Sequence, residues 1–135
     1  MRQGGTILFD TRDQDRTIQG LTTKSSQALR DLLSQLDIPP LEPVPDTHVL
    51  TKAFYLLAEF PGRWDGGSLW IERARSNGGA TSTSNDGVSA ILIGSNDYAG
   101  AWARDPSGRA LYAAVPGGER QREIAARVGV NVVMY

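Results

Sequence analysis

Asp10, Asp13, Asp97 and the sole histidine, His48, are the side chains whose chemistry could act on a bound molecule. Three carboxylates are the kind of set that holds Mg²⁺, an ion that takes a few carboxylates and keeps several waters. The competing reading makes them loop aspartates that accept from nearby backbone amides. Neither a tight Asp-x-Asp ladder nor a phosphate-binding loop accompanies them, so no metal site is assigned. Within "TRDQDR", residues 11–16, Arg12 and Arg16 can simply pair with Asp13 and Asp15. His48 has an ordinary pKa that suits a general base near neutral pH. It lacks a partner by motif: Gly-x-Ser-x-Gly is absent, and "IGSND" at 93–97 lacks the glycine spacing of a nucleophile elbow. The candidate catalytic set is therefore Asp10, Asp13, His48 and Asp97, with a structural or surface role competing at each position.

A second constellation suits binding. "GSNDYAGAW", residues 94–102, combines glycines and small residues with two aromatics around an Asn-Asp pair. That composition predicts a tight turn into a short, closely packed element. Ser95, Asn96 and Asp97 would supply polar handles, and Tyr98 and Trp102 the walls of a pocket. Core packing by Tyr98 and Trp102 is the alternative. Trp64 and Trp70 read as core or edge packing. Gly117-Gly118 ahead of a helix would cradle an anion only weakly, since no lysine follows.

Short strands must position these residues. "TILFD" at 6–10, "SLWIE" at 68–72 and "VSAILIGS" at 88–95 are apolar runs of β type. The first two share one pattern, Gly-Gly, a hydroxyl, three apolar residues and a carboxylate. If all three strands run parallel, Asp10, Glu72 and the Ser95-Asn96-Asp97 group converge on one sheet edge, where open α/β sheets bind ligands. The bland alternative is that polar residues merely mark where each strand surfaces. "TTKSSQALRDLLSQL" at 22–36 predicts a helix with Ala28, Leu29, Leu32, Leu33 and Leu36 on one face and a cap at Thr22, Thr23 or Ser25. "IPPLEPVPD" at 38–46 reads as an extended connector whose four prolines block regular pairing. A short helix after Asp46 and extended chain from Phe54 follow. The twelve small or polar residues after Arg75 cannot bury anything and are expected to be mobile. "DPSG" at 105–108 is a turn, "RALYAAV" at 109–115 a short strand or strand-like approach, and 117–135 a helix.

The chain has 135 residues and a net charge of −1, with both signs interspersed. One domain with one core is expected, without the broad basic footprint of a nucleic-acid binder. No stretch has the length of a membrane span, and no signal peptide is visible. Without cysteine there is no disulfide, thiolate metal site or Cys nucleophile. Twelve arginines against two lysines point to a GC-rich bacterial genome. Arg2-Gln3-Gly4-Gly5 reads as the C-cap of a helix whose body is absent, and "VNVVMY" stops in an apolar run. The expectation is a domain truncated at both ends, with an unpaired strand edge where a missing strand would lie.

"RQGGTILFDTRD", "HVLTKAFYLLAEFPGRW", "GVSAILIGSNDYAGAWA" and "REIAARVGVNVVMY" together resemble domain of unknown function family 4159, the C-terminal domain of a group of large bacterial membrane proteins. The resemblance implies a three-layer, flavodoxin-like α/β sandwich with a mainly parallel sheet, similar to class I glutamine amidotransferases. It implies no activity. Those amidotransferases need a Cys nucleophile on a strand-to-helix elbow, and this chain carries Asn96-Asp97 there, so glutamine hydrolysis is not expected. The expected function is a non-catalytic or ligand-binding module of a membrane-anchored bacterial envelope protein, with no cofactor. Its partners would be the rest of its own larger polypeptide and a small molecule or envelope protein, without nucleic acid and without membrane insertion by this segment. The alternative is a carboxylate- or metal-dependent hydrolase working at the strand ends. A third reading is a scaffold that docks proteins through the proline-rich connector and the "FPGRW" turn.

Overall fold

A computed structural model of the chain describes residues 5–17, 21–73 and 88–135. The expected mobile segment after Arg75 and the helix cap at Arg2–Gly4 lie outside the described residues. The elements in chain order are β1 (Ile7–Asp10), α1 (Gln14–Thr17), α2 (Lys24–Ser34), β2 (Leu41–Pro43), a 3₁₀ turn (Val49–Thr51), β3 (Trp70–Glu72), β4 (Ile91–Gly94), α3 (Tyr98–Trp102) and α4 (Gly118–Met134).

The fold is α/β with a four-stranded mixed sheet in the order β1-β4-β3-β2. β1 and β4 run parallel, with Phe9 opposite Ile93 and Asp10 opposite Gly94. β3 corrects the expectation of three parallel strands: it runs antiparallel to β4, pairing Trp70 with Ile93 and Ile71 with Leu92. A parallel pair needs a crossover with a packed helix, whereas an antiparallel pair needs only a return loop. The small and polar residues between β3 and β4 offer no apolar face for such a helix.

The connector corrects a second expectation. Leu41–Pro43 pairs antiparallel with β3 despite its prolines. β2 is the outer strand, where Pro43 can leave an N–H out of the ladder without cost. At 109–115 the expected strand reduces to one isolated bridge between Arg104 and Ala110.

Alternation along the strands divides the apolar residues between two unequal faces. Leu92 and Ile71 join Leu50, Leu57, Leu69, Tyr98 and Val128 in the buried core beneath α4, with Leu8 packed against it. α4 is tied down by Asn131, whose amide donates to the carbonyls of Leu50 and Tyr55 at 2.8 and 2.9 Å and whose Oδ1 accepts from Tyr55 N at 2.8 Å. The opposite face carries the in-register row Phe9, Ile93 and Trp70. α2 lies over that row, capped by Thr23, yet none of its residues is buried. Leu32 and Leu36 are each 47 % exposed and Trp70 40 %. No helix among the described residues is long and apolar enough to cross a membrane.

Candidate functional site

The carboxyl ends of the two parallel strands meet at a sharp strand-to-helix turn. β4 ends at Gly94, and Asp97 turns the chain into α3 through a left-handed backbone, φ 55° and ψ 61°. Aspartate is one of the few L-residues that visits this region readily. The turn is tight enough to exclude side chains beside it. A Cβ on Gly94 would stand 2.6 Å from the Tyr98 ring, and one on Gly100 would stand 2.3 Å from the Asp97 carboxylate.

Asp10, at the end of β1, clasps this turn. Its Oδ1 accepts from the backbone N–H of Asp97 and of Arg12, each at 3.2 Å, and its Oδ2 accepts from Tyr98 N at 2.6 Å. Burial raises the Asp10 pKa above the ordinary value, against the opposing pull of those three N–H groups.

Asp97 is 2 % exposed and organises the charge around it. Its Oδ1 accepts from Arg12 Nε at 3.0 Å and from Gly100 N at 3.2 Å, and its Oδ2 from Arg63 Nη1 at 3.4 Å. Arg12 has a left-handed backbone too, φ 61°, which swings its guanidinium across to Asp97. Arg63 is sandwiched between aromatic rings, 4.5 Å from the centroid of Trp64 and 4.9 Å from that of Tyr112. Asp13 is buried among hydroxyls and accepts from Thr11, from Thr23 and, at 2.7 Å, from Ser26. Burial works against its charge, but these hydroxyls prevail and hold its pKa below the ordinary range. The same bonds pin the start of α2 to the end of β1.

Between these groups opens a cleft of 780 Å³, walled by Arg12, Arg16, Lys24, Arg63, Trp64 and Asp97. Arg16 and Lys24 make no ion pair among the described residues. The arrangement can therefore draw an anion against guanidinium and ammonium groups beside an aromatic wall. A family model described as a domain of unknown function (DUF4159) matches residues 1–135. The chain belongs to this family. No curated protein matches it.

The structure of this DUF4159 domain brings Asp10, Asp13 and Asp97 to one corner but aims each carboxylate at its own donors. Among the described residues no three His, Asp or Glu side chains form a group able to hold a metal ion. His48 stands elsewhere, at the other end of β4. Its Nδ1 caps the 3₁₀ turn by accepting from Leu50 N at 3.3 Å, and its ring lies 5.6 Å from that of Tyr135, whose hydroxyl accepts from Ser89 N ahead of the strand. Burial lowers the pKa of His48, against the pull of Glu42. Glu72, expected beside Asp10, is at that far end as well, because β3 runs the other way; its Oε2 accepts from Ala90 N at 2.8 Å.

Of the binding candidates in this DUF4159 domain, Asp97 alone lines the cleft. Ser95 donates to Gln14 Oε1 at 2.7 Å. Asn96 is fully buried, its amide donating at 2.9 Å to the carbonyls of Phe60 and Gly67 and its Oδ1 accepting from Gly67 N at 3.2 Å. Tyr98 is buried and donates to Phe60 O at 2.9 Å, and burial together with the nearby charge of Asp10 raises its pKa. Trp102 stacks on Tyr98 and donates from Nε1 to Ala125 O at 2.8 Å. The segment thus holds the 60–67 loop, which brings Arg63 and Trp64 to the cleft, and on its other side ties to α4. Sequence reasoning paired Arg12 with Asp13 and read "FPGRW" as a turn, so it missed the joint capture of Arg12 and Arg63 by Asp97. Long-range pairing of this kind leaves no local pattern.

Proposed function

We propose that this DUF4159 domain is a non-catalytic ligand-binding module whose site is the cleft at the carboxyl ends of β1 and β4, and whose ligand carries an anionic group. The observation that carries the reading is the buried Asp97 at a left-handed turn, fixing the guanidiniums of Arg12 and Arg63 on the wall of a cleft that Arg16 and Lys24 also line. Asp10, Asp13 and Asp97 are committed to backbone amides, hydroxyls or arginines, which favours binding over acid–base chemistry at these positions, while Asp15 also lines the cleft beside Arg16. The flavodoxin-like, amidotransferase-like sandwich and the membrane-anchored parent polypeptide implied by the resemblance are part of this proposal. In it the domain serves the rest of that polypeptide as a ligand-responsive unit, contacting an envelope partner.

Calorimetric titration with inorganic phosphate tests the site. Saturable binding is expected that weakens with added salt and falls about tenfold or more in Arg12→Gln, the loss of about one charge-assisted hydrogen bond. Absence of binding together with unmoved amide resonances at Arg12, Lys24 and Arg63 overturns the reading. One observation favours the hydrolase alternative, the raised pKa of Asp10 at the sheet edge. Turnover of a phosphate or carboxylic ester that disappears in Asp10→Asn, with the fold retained, would establish it.

A further inference from the structure

The cleft does not end at its charged wall. It shares Thr11 and Asp13 with a slot of 500 Å³ beneath α2, whose apolar lining is Leu29 and Leu33 above and Leu41, Trp70 and Ile93 below. A neighbouring hollow of 370 Å³ runs between Phe9 on the sheet and Ala28, Leu29 and Leu32 on the helix, and reaches the cleft at Arg12 and Ser25. Both volumes fall in the range of small-molecule sites.

The reason for the space is plain in the packing. α2 carries a leucine stripe, and the sheet offers the apolar row Phe9, Ile93 and Trp70 below it, yet no residue of α2 is buried. An amphipathic helix over an apolar sheet face ordinarily closes down on it, since that burial is the main source of helix stability in a protein. Here the helix is anchored at one end, where Asp13 holds Thr23 and Ser26, and its leucines stand off from the sheet.

Resting on the reading of the cleft as an anion site, we propose that the ligand is an anionic amphiphile with a single alkyl chain. Its head group lies against Arg12, Arg16 and Lys24, and its chain runs under α2 between Leu29 and Leu33 on one side and Trp70 and Ile93 on the other. Charge decides the occupant. A neutral apolar chain would gain nothing from the cations at the mouth, and a purely ionic ligand would leave the apolar slot wet. A molecule with both parts satisfies cleft and slot at once.

The test is a calorimetric series of butyl, octyl and dodecyl phosphate, each below its micelle concentration, with inorganic phosphate, dodecanoate and octyl glucoside as comparisons. Affinity is expected to rise by up to about fourfold per buried methylene, with dodecyl phosphate or dodecanoate far tighter than inorganic phosphate and octyl glucoside weak. The double variant Leu29→Asn, Leu33→Asn changes no buried residue and keeps the anchored end of α2. It is expected to abolish the chain-length dependence and leave phosphate affinity unchanged. Equal affinity along the alkyl series, with phosphate still bound, overturns the amphiphile and leaves the anion site standing. No binding by any of the anions overturns both. Octyl glucoside matching octyl phosphate overturns the pairing of head and cation. A concentration-dependent dimer that the leucine variant dissociates and dodecyl phosphate does not overturns the slot as a ligand site, because a second copy would then cover it.

Discussion

The corner at the ends of β1 and β4 shows how one buried carboxylate can set the chemistry of several neighbours. Asp97 fulfils three demands at once: a left-handed backbone, a bond to Gly100 N and a counter-charge for two arginines. These can be separated. Asp97→Asn keeps a residue that tolerates the left-handed region and an oxygen for Gly100, and is expected to cost about 1–3 kcal/mol as the arginines lose their anion. Asp97→Ala also loses the cap and adds left-handed strain of about 1–2 kcal/mol, so urea denaturation should rank it clearly below Asn. An inverted order would mean that the cap and the left-handed backbone at this position are immaterial. In a carboxyl NMR experiment the midpoints of Asp10 and Asp13 should be displaced in opposite directions, above and below the ordinary 3.8. The raised pKa of Asp10 means that its stabilising contribution is present below pH 3.8 and is lost as pH rises through its folded value. Asp13 is the reverse: its contribution is present above 3.8 and is lost as pH falls through its depressed value.

At the scale of elements, the two helices beside the sheet differ in what holds them. α4 buries Gln121, Arg122, Ala125, Val128 and Asn131, whereas α2 buries nothing. Leu32→Ala in α2 should therefore cost well under the roughly 2–5 kcal/mol typical of a buried leucine, the cost expected for Leu92→Ala. Comparable losses at both positions would mean that α2 is clamped to the sheet. The 60–67 loop has a different constraint. A Cβ on Gly62 would stand 2.3 Å from the carbonyl oxygen of Asn96, a backbone atom with nowhere to move. Gly62→Ala is expected to lower stability by at least the roughly 1–3 kcal/mol of an overpacked core, read by thermal unfolding. Much at this scale was legible: the helix over 22–36, the strands at 6–10 and 88–95, the "DPSG" turn and the long C-terminal helix all follow from periodicity and turn residues. β2 was not, because proline counts argue against pairing in general while an outer strand tolerates them in particular. The buried polar residues of α4 were also hidden. Nothing in the sequence marks Gln121 or Asn131, and their partners in the 50–55 and 62–63 stretches explain their burial.

For the whole molecule, the sequence announces an α/β protein but leaves strand direction open, since a short apolar run looks the same in either sense. The direction of β3 decided where Glu72 went, and with it which half of the expected strand-end cluster exists. The result is a molecule with one finished face and one unfinished face. Hydrogen exchange should reflect this, with amides of α4 and β4 protected close to the global limit and those of α2 exchanging through local opening; uniform protection would contradict it. The parallel pair has a consequence for how the chain is made. Thr6 at the head of β1 bonds to Ser89, 83 residues further on. At about 5–20 residues per second on the ribosome, β1 waits roughly 4–17 s for β4, its sheet partner among the described residues, to be synthesised. Throughout that interval Ile7, Leu8 and Phe9 cannot form their ladder with β4. Asn131, which fastens α4 over the core, emerges later still, so the nascent chain should remain open to chaperones and proteases until Asn131 has left the tunnel.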